Sequence, residues 1–355
     1  MELKDLGYNS FFETHRNRLG LDGYSVARVI AEYKETYRVK NENGEFPAKI
    51  TGKQMHQAKS REDYPAVGDW VAISELEVNW AVIYGVLPRK SLLKRKTSGK
   101  FSIQVIATNI DVAFAIESMD RDYNLNRFER YCALAKDGGI EPSIILNKTD
   151  LISAAELEEK TAQIRKRFKN VEIFTTSVTS DHGIAELRSR ISQTKTYCFL
   201  GSSGVGKSSL INKLLGSNAT KIKAIGELTG RGKHTTTTRE MYFLNNGGII
   251  IDNPGLREVG MADSIIGIDT VFDGISTLSE KCRFKDCTHT HEPGCAVKVS
   301  VETGELDENR FSNYLKLKKE AGYYQMTKNE RRKKDHQFGK FVKKALEQIK
   351  KYKSP

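Results

Sequence analysis

Between Tyr24 and Leu93 the apolar residues come in short β-type runs separated by turn residues. The runs are Ser25-Val-Ala-Arg-Val-Ile30, Thr36-Tyr-Arg-Val39, Phe46-Pro-Ala-Lys-Ile50, Asp69-Trp-Val-Ala-Ile73 and Trp80-Ala-Val-Ile83. Asn43-Gly44 and Val67-Gly68-Asp69 punctuate them, and this pattern predicts a small β-barrel. An OB-fold fits, and an SH3-like barrel would share the pattern. Residues 1 to about 30 read as an amphipathic lead-in of modest order, and Lys94 to Lys100 as a basic linker.

Beyond Lys100 the texture becomes α/β. Val112–Ile116, Ser143–Leu146, Val171–Phe174, Tyr197–Leu200 and Gly248–Ile251 are apolar runs of strand length. Asn124 to Lys136 has helical spacing, with Phe128, Tyr131, Cys132 and Leu134 on its apolar side, and Ala154 to Phe168 is a charged helix. Strands alternating with helices predict a parallel sheet with ligand loops at the strand C-termini. From about Glu305 the chain turns helical and basic. The expected class is multidomain: an N-terminal β-barrel over 1–98, a central α/β P-loop domain over 99–265, and a mostly helical domain over 266–355.

The totals agree with a soluble globular protein, 38% hydrophobic and 29% charged over 355 residues. No leader and no run of ~20 apolar residues appears, so a cytoplasmic monomer without a membrane partner is expected. The net charge of +12 is unevenly placed. Phe311 to Pro355 holds 14 Lys or Arg against 4 Asp or Glu. A basic tail of this density suits a polyanion such as nucleic acid, and the interleaved Tyr314, Tyr323, Tyr324 and Phe338 suit RNA. Cys132 and Cys198 sit alone in apolar surroundings, as small core residues do.

Three motifs carry the chemistry. Gly201-Ser202-Ser203-Gly204-Val205-Gly206-Lys207-Ser208 is a complete phosphate loop following a strand. Its backbone N–H groups cradle phosphates, Lys207 reaches the β- and γ-phosphates and is a candidate catalytic group, and Ser208 ligates Mg²⁺, with Ser209 next in the helix. Asn147-Lys148-Thr149-Asp150 ends a buried strand. A carboxylate at Asp150 accepts both the N1–H and the 2-amino group of guanine, a donor pair adenine lacks, while Asn147 and Lys148 brace the ring. Ser177, in Thr176-Ser177-Val178-Thr179, lies where a loop backing the base is expected. Asp252-Asn253-Pro254-Gly255 supplies Asp252 for Mg²⁺ and the Gly255 N–H for the γ-phosphate. Between the loop and Asp252, the Thr235–Thr238 run offers a threonine to cover the metal, with Thr237 and Thr238 leading.

The base-reading motif precedes the phosphate loop, the reverse of the order in most GTPases, so the domain is circularly permuted. Leu256 stands where Ras-like enzymes carry the glutamine that orients water. Intrinsic hydrolysis should therefore be slow. His234, the group in the intervening loop that titrates near neutral pH, is the catalytic candidate. Because the chain runs from Gly255 toward the C-terminal domain, hydrolysis is expected to move that domain.

Cys282-x4-Cys287-x-His289-x5-Cys295 offers three thiolates and an imidazole, a closed tetrahedral shell for one structural Zn²⁺. His291 is a spare donor at this stage.

These motifs together resemble the RsgA (YjeQ/YloQ) family of GTPases dependent on the small ribosomal subunit. The resemblance rests on the permuted order, on 201–208, on Gly230-Arg-Gly-Lys-His-Thr-Thr-Thr237, on 252–255, and on the Cys-His-Cys spacing closing with Glu292-Pro-Gly-Cys-Ala-Val297. It implies an OB-fold, a permuted GTPase domain and a zinc domain. It also implies binding to ribosomal RNA near the decoding region, GTP hydrolysis to GDP stimulated by the small subunit, and a late role in that subunit's maturation. The family's loop histidine falls on His234 and its zinc ligands on Cys282, Cys287, His289 and Cys295. Asn253 departs from the usual Thr or Ser. Two other classes remain: an RNA-binding assembly factor with a vestigial GTPase, and a GTPase of the large subunit.

Overall fold

The computed structural model describes residues 1–34, 36–76, 79–96, 103–120, 123–216, 239–252 and 265–327, with 329, 330, 332–337, 339, 340 and 342 beyond them. In chain order the elements are α1 (Ser10–Arg18), β1 (Ser25–Glu32), β2 (Tyr37–Asn41), β3 (Gly44–Ile50), α2 (Gly52–Gln57), β4 (Trp70–Leu76), β5 (Trp80–Val86), β6 (Leu92–Lys96), β7 (Ile103–Thr108) and β8 (Val112–Ser118). Then come α3 (Leu125–Asp137), β9 (Glu141–Asn147), α4 (Ala154–Arg167), β10 (Glu172–Thr176), α5 (Ile184–Arg190), β11 (Thr196–Leu200), α6 (Lys207–Leu215), β12 (Arg239–Phe243), β13 (Ile249–Asp252), α7 (Ile265–Val271), α8 (Asp273–Ser279), α9 (Ala296–Glu302) and α10 (Glu308–Gln325). Among the described residues, no helix is long and apolar enough to cross a membrane.

The first five strands close into a barrel in the order β1-β2-β3-β5-β4, with β4 returning to β1. β3 and β5 run parallel, with α2 between β3 and β4, which is the OB-fold arrangement rather than the SH3-like one. Alternate residues Val39, Phe46, Ala48, Val71, Ile73, Ala81 and Ile83 fill its interior. The lead-in is more ordered than its pattern predicts. Leu6 and Phe12 are buried with Val26, Trp70 and Leu87, and the Tyr8 ring meets Trp70 edge-on at 4.8 Å. The predicted linker is corrected over Lys94–Lys96, where Leu92–Lys96 pairs antiparallel with β7 as a hairpin, with Leu93 and Val105 buried; 97–100 lie outside the described residues.

The second sheet is β10-β9-β8-β11-β13, all parallel, with β12 antiparallel on β13. β12, which the pattern did not predict, also pairs with β1 through Ala31 and Glu32, so barrel and α/β sheet are continuous. A register shift between Val29 and Ala31 marks a bulge in β1. Val29 joins the barrel core while Ile30 joins the α/β core. Arg28, 1% exposed, pins the junction by donating to the carbonyls of Leu6, Gly68 and Asn109 and to Thr196 Oγ1. Burial lowers its pKa to about 10, with the charges of Asp111 and Asp69 acting against the shift.

α3 and α4 cover one face of the parallel sheet, α5 and α6 the other. The C-terminal helices share the α3 core: Ile268, Phe272, Ile275, Tyr314 and Leu317 belong to the same cluster as Phe128 and Cys132. Gly267 permits this approach, because a Cβ there would collide with the Ala133 carbonyl.

Candidate nucleotide and metal sites

Because β9, β10, β11 and β13 are parallel, their C-terminal ends share one edge of the sheet, and the loops after them converge. Gly201 to Gly206 connect β11 to α6. Gly204 and Gly206 have φ of +90° and +96°, turning the backbone into a cradle at the helix N-terminus. A side chain at Gly206 would strike Asn147 Nδ2. Val205 is buried and Ser203 and Gly204 lie at the exposed tip, while Ser202, Ser208 and Ser209 are half-buried. Lys207 is 8% exposed, and its Nζ donates to the carbonyls of Gly201 at 2.6 Å and Ser202 at 2.5 Å. Burial pushes its pKa down to about 8, with the Asp252 charge acting against the shift. Burial raises the Asp252 carboxyl in turn, opposed by Lys207 and assisted by Glu240. An ammonium partly stripped of water, satisfied only by carbonyls and opposite a carboxylate, is suited to anionic phosphate and a divalent cation.

The four residues 147–150 divide their work. Asn147 is buried: its Nδ2 donates to the Val205 carbonyl at 2.8 Å and its Oδ1 accepts from Thr176 Oγ1 at 3.0 Å. It therefore ties the ends of β9 and β10 to the phosphate loop. Lys148 sits at φ +59°, with Nζ 2.9 Å from Asp120 Oδ2. Thr149 Oγ1 donates to the Thr176 carbonyl. Asp150 is exposed, and its Oδ1 accepts from Ser177 Oγ at 2.5 Å. Sequence reasoning placed Thr176 and Ser177 in the loop expected to back the base, but did not find Asp120, which only the fold brings to Lys148. The loop bearing His234, Thr237 and Thr238 lies outside the described residues, as do Asn253, Gly255 and Leu256.

The second site is compact. One ligand atom from each of Cys282, Cys287, His289 and Cys295 lies within 4.8 Å of the others. Cys282 Sγ is 3.9 Å from Cys295 Sγ and 3.7 Å from His289 Nδ1, and Cys295 Sγ is 3.4 Å from that nitrogen. A tetrahedral ion with ~2.3 Å sulfur and ~2.0 Å nitrogen bonds requires edges of about 3.5–3.8 Å, so the donor set fits a metal ion. His289 is buried and His291 exposed, which selects between the two histidines. Burial raises the Cys282 thiol's pKa, but the Val297 and Ala296 N–H groups at the start of α9 outweigh it and leave the thiol below its ordinary value.

His289 holds φ +62°. The carboxylate of Glu292 stabilises that turn by accepting from the N–H groups of Thr288, Thr290 and His291 and from Thr288 Oγ1. Glu292→Gln is expected to weaken metal affinity about tenfold or more. Competition with a chromogenic chelator measures it, and unchanged affinity would rule out the clamp.

The RsgA GTPase family model matches residues 86–262. A small ribosomal subunit biogenesis GTPase RsgA 1 from Bacteroides thetaiotaomicron is 38% identical over 333 residues, covering 93% of this chain and 91% of that protein. The chain belongs to the RsgA GTPase family. A relative of the same name from Listeria innocua is 41% identical over 324 residues, covering 91% and 90%. YjeQ from Thermotoga maritima superposes with a TM-score of 0.62 at 27% identity, covering 83% of this chain and 98% of that one. YloQ, a circularly permuted GTPase, gives 0.61 at 22% identity, over 86% and 97%, a likeness of fold. This chain has the same permuted order, with the end of β9 preceding the 201–206 loop and Asp252 last.

Proposed function

We propose that this RsgA-family GTPase binds the small ribosomal subunit and its RNA and hydrolyses GTP to GDP and phosphate there, late in that subunit's maturation, as a cytoplasmic monomer. The carrying observation is that relatives named for small-subunit biogenesis align over 93% and 91% of this chain, so barrel, GTPase domain and cysteine cluster are all included. In this reading the chain divides at about 98 and 265. Asp150 reads guanine with Asn147, Lys148 and Ser177 around it. Residues 201–209 hold the phosphates, with Lys207 on the β- and γ-groups. Ser208, Asp252 and Thr237 or Thr238 serve Mg²⁺, and Gly255 meets the γ-phosphate. The Cys282, Cys287, His289 and Cys295 site holds Zn²⁺, because three soft thiolates and an imidazole in a closed tetrahedron suit that ion.

Leu256 cannot orient water, so hydrolysis awaits a group supplied when a partner orders the loop bearing His234. The test is steady-state GTP turnover alone and with purified small or large subunits. Slow turnover that rises about a hundredfold or more with small subunits alone is expected, near the lower range of partner-supplied catalysis. Stimulation by large subunits alone would reassign the partner, and absent turnover would make the protein an assembly factor with a vestigial GTPase. His234→Ala should abolish the stimulated rate, and a fully stimulated variant would take the catalytic role from His234.

A further inference from the structure

Helix α3 touches the phosphate loop with one face and the C-terminal helices with another. Arg127 Nη1 donates to Ser202 Oγ at 3.0 Å. Burial raises the pKa of Tyr131, one turn on and so on the same face, and the same Ser202 hydroxyl opposes that shift. Arg127 Nε lies 3.6 Å from Oε1 of Glu117, which is fully buried at the end of β8. Glu117 Oε2 accepts from the N–H of Asn124, the N-cap of α3, so one carboxylate fixes both the start of the helix and the arginine.

On the other face, fully buried Glu129 accepts from Asn313 Nδ2 at 2.6 Å and lies 3.6 and 3.5 Å from Arg167 and Arg310. Arg130 forms a bidentate pair with Glu320 at 2.9 and 2.6 Å. Asn313, Arg310 and Glu320 all belong to α10. Within two turns, α3 therefore joins a loop serine to the C-terminal helix.

Ser202 is also where the loop answers to its ligand. Its carbonyl accepts from Lys207 Nζ, the donor a phosphate would claim. When Lys207 turns to phosphate, that carbonyl loses its partner and the loop readjusts, while the Ser202 hydroxyl remains tethered to α3. We propose that Arg127, assisted by Tyr131, is a positioning residue of the phosphate loop, and that α10 sets this position by holding α3 through Glu129 and Arg130. A partner docking on the C-terminal helices then reaches the nucleotide through α3, besides any route through residues 253–264. This proposal rests on reading 201–208 as the phosphate loop.

The experiment uses the full chain. Affinity for a fluorescent GDP analogue, kcat and KM for GTP, and the thermal midpoint are measured for Arg127→Met, Arg127→Lys, Tyr131→Phe, Glu320→Gln, Lys207→Ala and the Arg127→Met/Glu320→Gln double variant. Arg127→Met should weaken nucleotide binding about tenfold, the loss of a charged hydrogen bond, with partial recovery in Arg127→Lys. Glu320→Gln, a change on α10, should weaken it by about threefold at an unchanged thermal midpoint. The double variant should be no worse than Arg127→Met alone, because both act on one strut. If Arg127→Met fails to fold, Tyr131→Phe, which removes one hydroxyl, takes its place in the cycle. Wild-type binding in Arg127→Met and Tyr131→Phe, or additive effects of the near and distant changes, would overturn the proposal. Normal binding in Lys207→Ala would instead overturn the reading of the loop itself.

Discussion

Lys207→Ala is expected to lose GTP binding and turnover by roughly a hundredfold or more, the range seen when one preorganised donor to developing or bound negative charge is removed. The side chain is buried at the start of α6, and its ammonium bridges two loop carbonyls. Those are weak partners compared with phosphate oxygens, so the nucleotide gains most of the ammonium's interaction. The variant should fold normally, because the change removes a charge whose burial is costly. Equilibrium titration with a fluorescent GTP analogue and steady-state turnover measure the loss. Affinity within threefold of wild type would remove Lys207 from the phosphate site.

The same residue dictates a pH dependence. Its pKa in the nucleotide-free protein is about 8, lowered by burial. Phosphates bind the charged form and raise that value, so binding takes up a proton above pH 8. Affinity should be level below about pH 7.5 and fall by up to about tenfold per unit above pH 8, as the free protein loses the charge. Calorimetry in buffers of different ionisation enthalpy should register the proton uptake at pH 8.5. A flat profile between pH 7 and 9 would contradict it.

Removing the metal should have the largest effect on the fold. Cys295 is 3% exposed, belongs to the core cluster shared with α3, and caps α9 through its Sγ. Buried His289 lies 6.3 Å from Tyr314 of α10. Without the ion, three thiols and an imidazole face one another with no common partner, and the ligand loop loses its closure. Chelation or Cys295→Ser should release about one zinc per chain and lower the thermal midpoint by about 10 °C or more. The barrel's Trp70 environment should stay intact until the main transition. Elemental analysis with thermal unfolding tests this. Metal-free protein with an unchanged midpoint would make the cluster dispensable for the fold.

What could be read from the chain was whatever short-range chemistry decides. The strands ending at Asn147, Leu200 and Asp252 were visible because a strand buried on both faces is a continuous apolar run that stops at polar or glycine-rich residues. The five barrel strands were visible because turn residues interrupt them. The α1 region was underestimated because its apolar residues are few. Phe12 is buried against Val26, Trp70 and Leu87, which lie farther along the chain. Lys94–Lys96 was taken for the start of a linker because its charges hid a half-exposed strand, whose partner, β7, supplies the buried face. β12 was missed because its pattern is mixed (Met241 is buried, its neighbours half-buried), and it is held by pairing to β13 on one side and β1 on the other.

The candidate site divides in the same way. The 201–208 loop, the 147–150 motif and the cysteine spacing are each confined to a few residues, since sites of these kinds take a ligand with consecutive backbone or closely spaced side chains. The amino-acid sequence by itself therefore determined the permuted order, the three-part organisation and the donor set. Only the tertiary structure decided that the barrel is an OB-fold, that His289 rather than His291 faces the thiols, and that Ser202 leans on Arg127. Those outcomes depend on which strand edges meet and which helix faces pack. Such contacts join residues far apart in the chain, and no local period or turn signal encodes them.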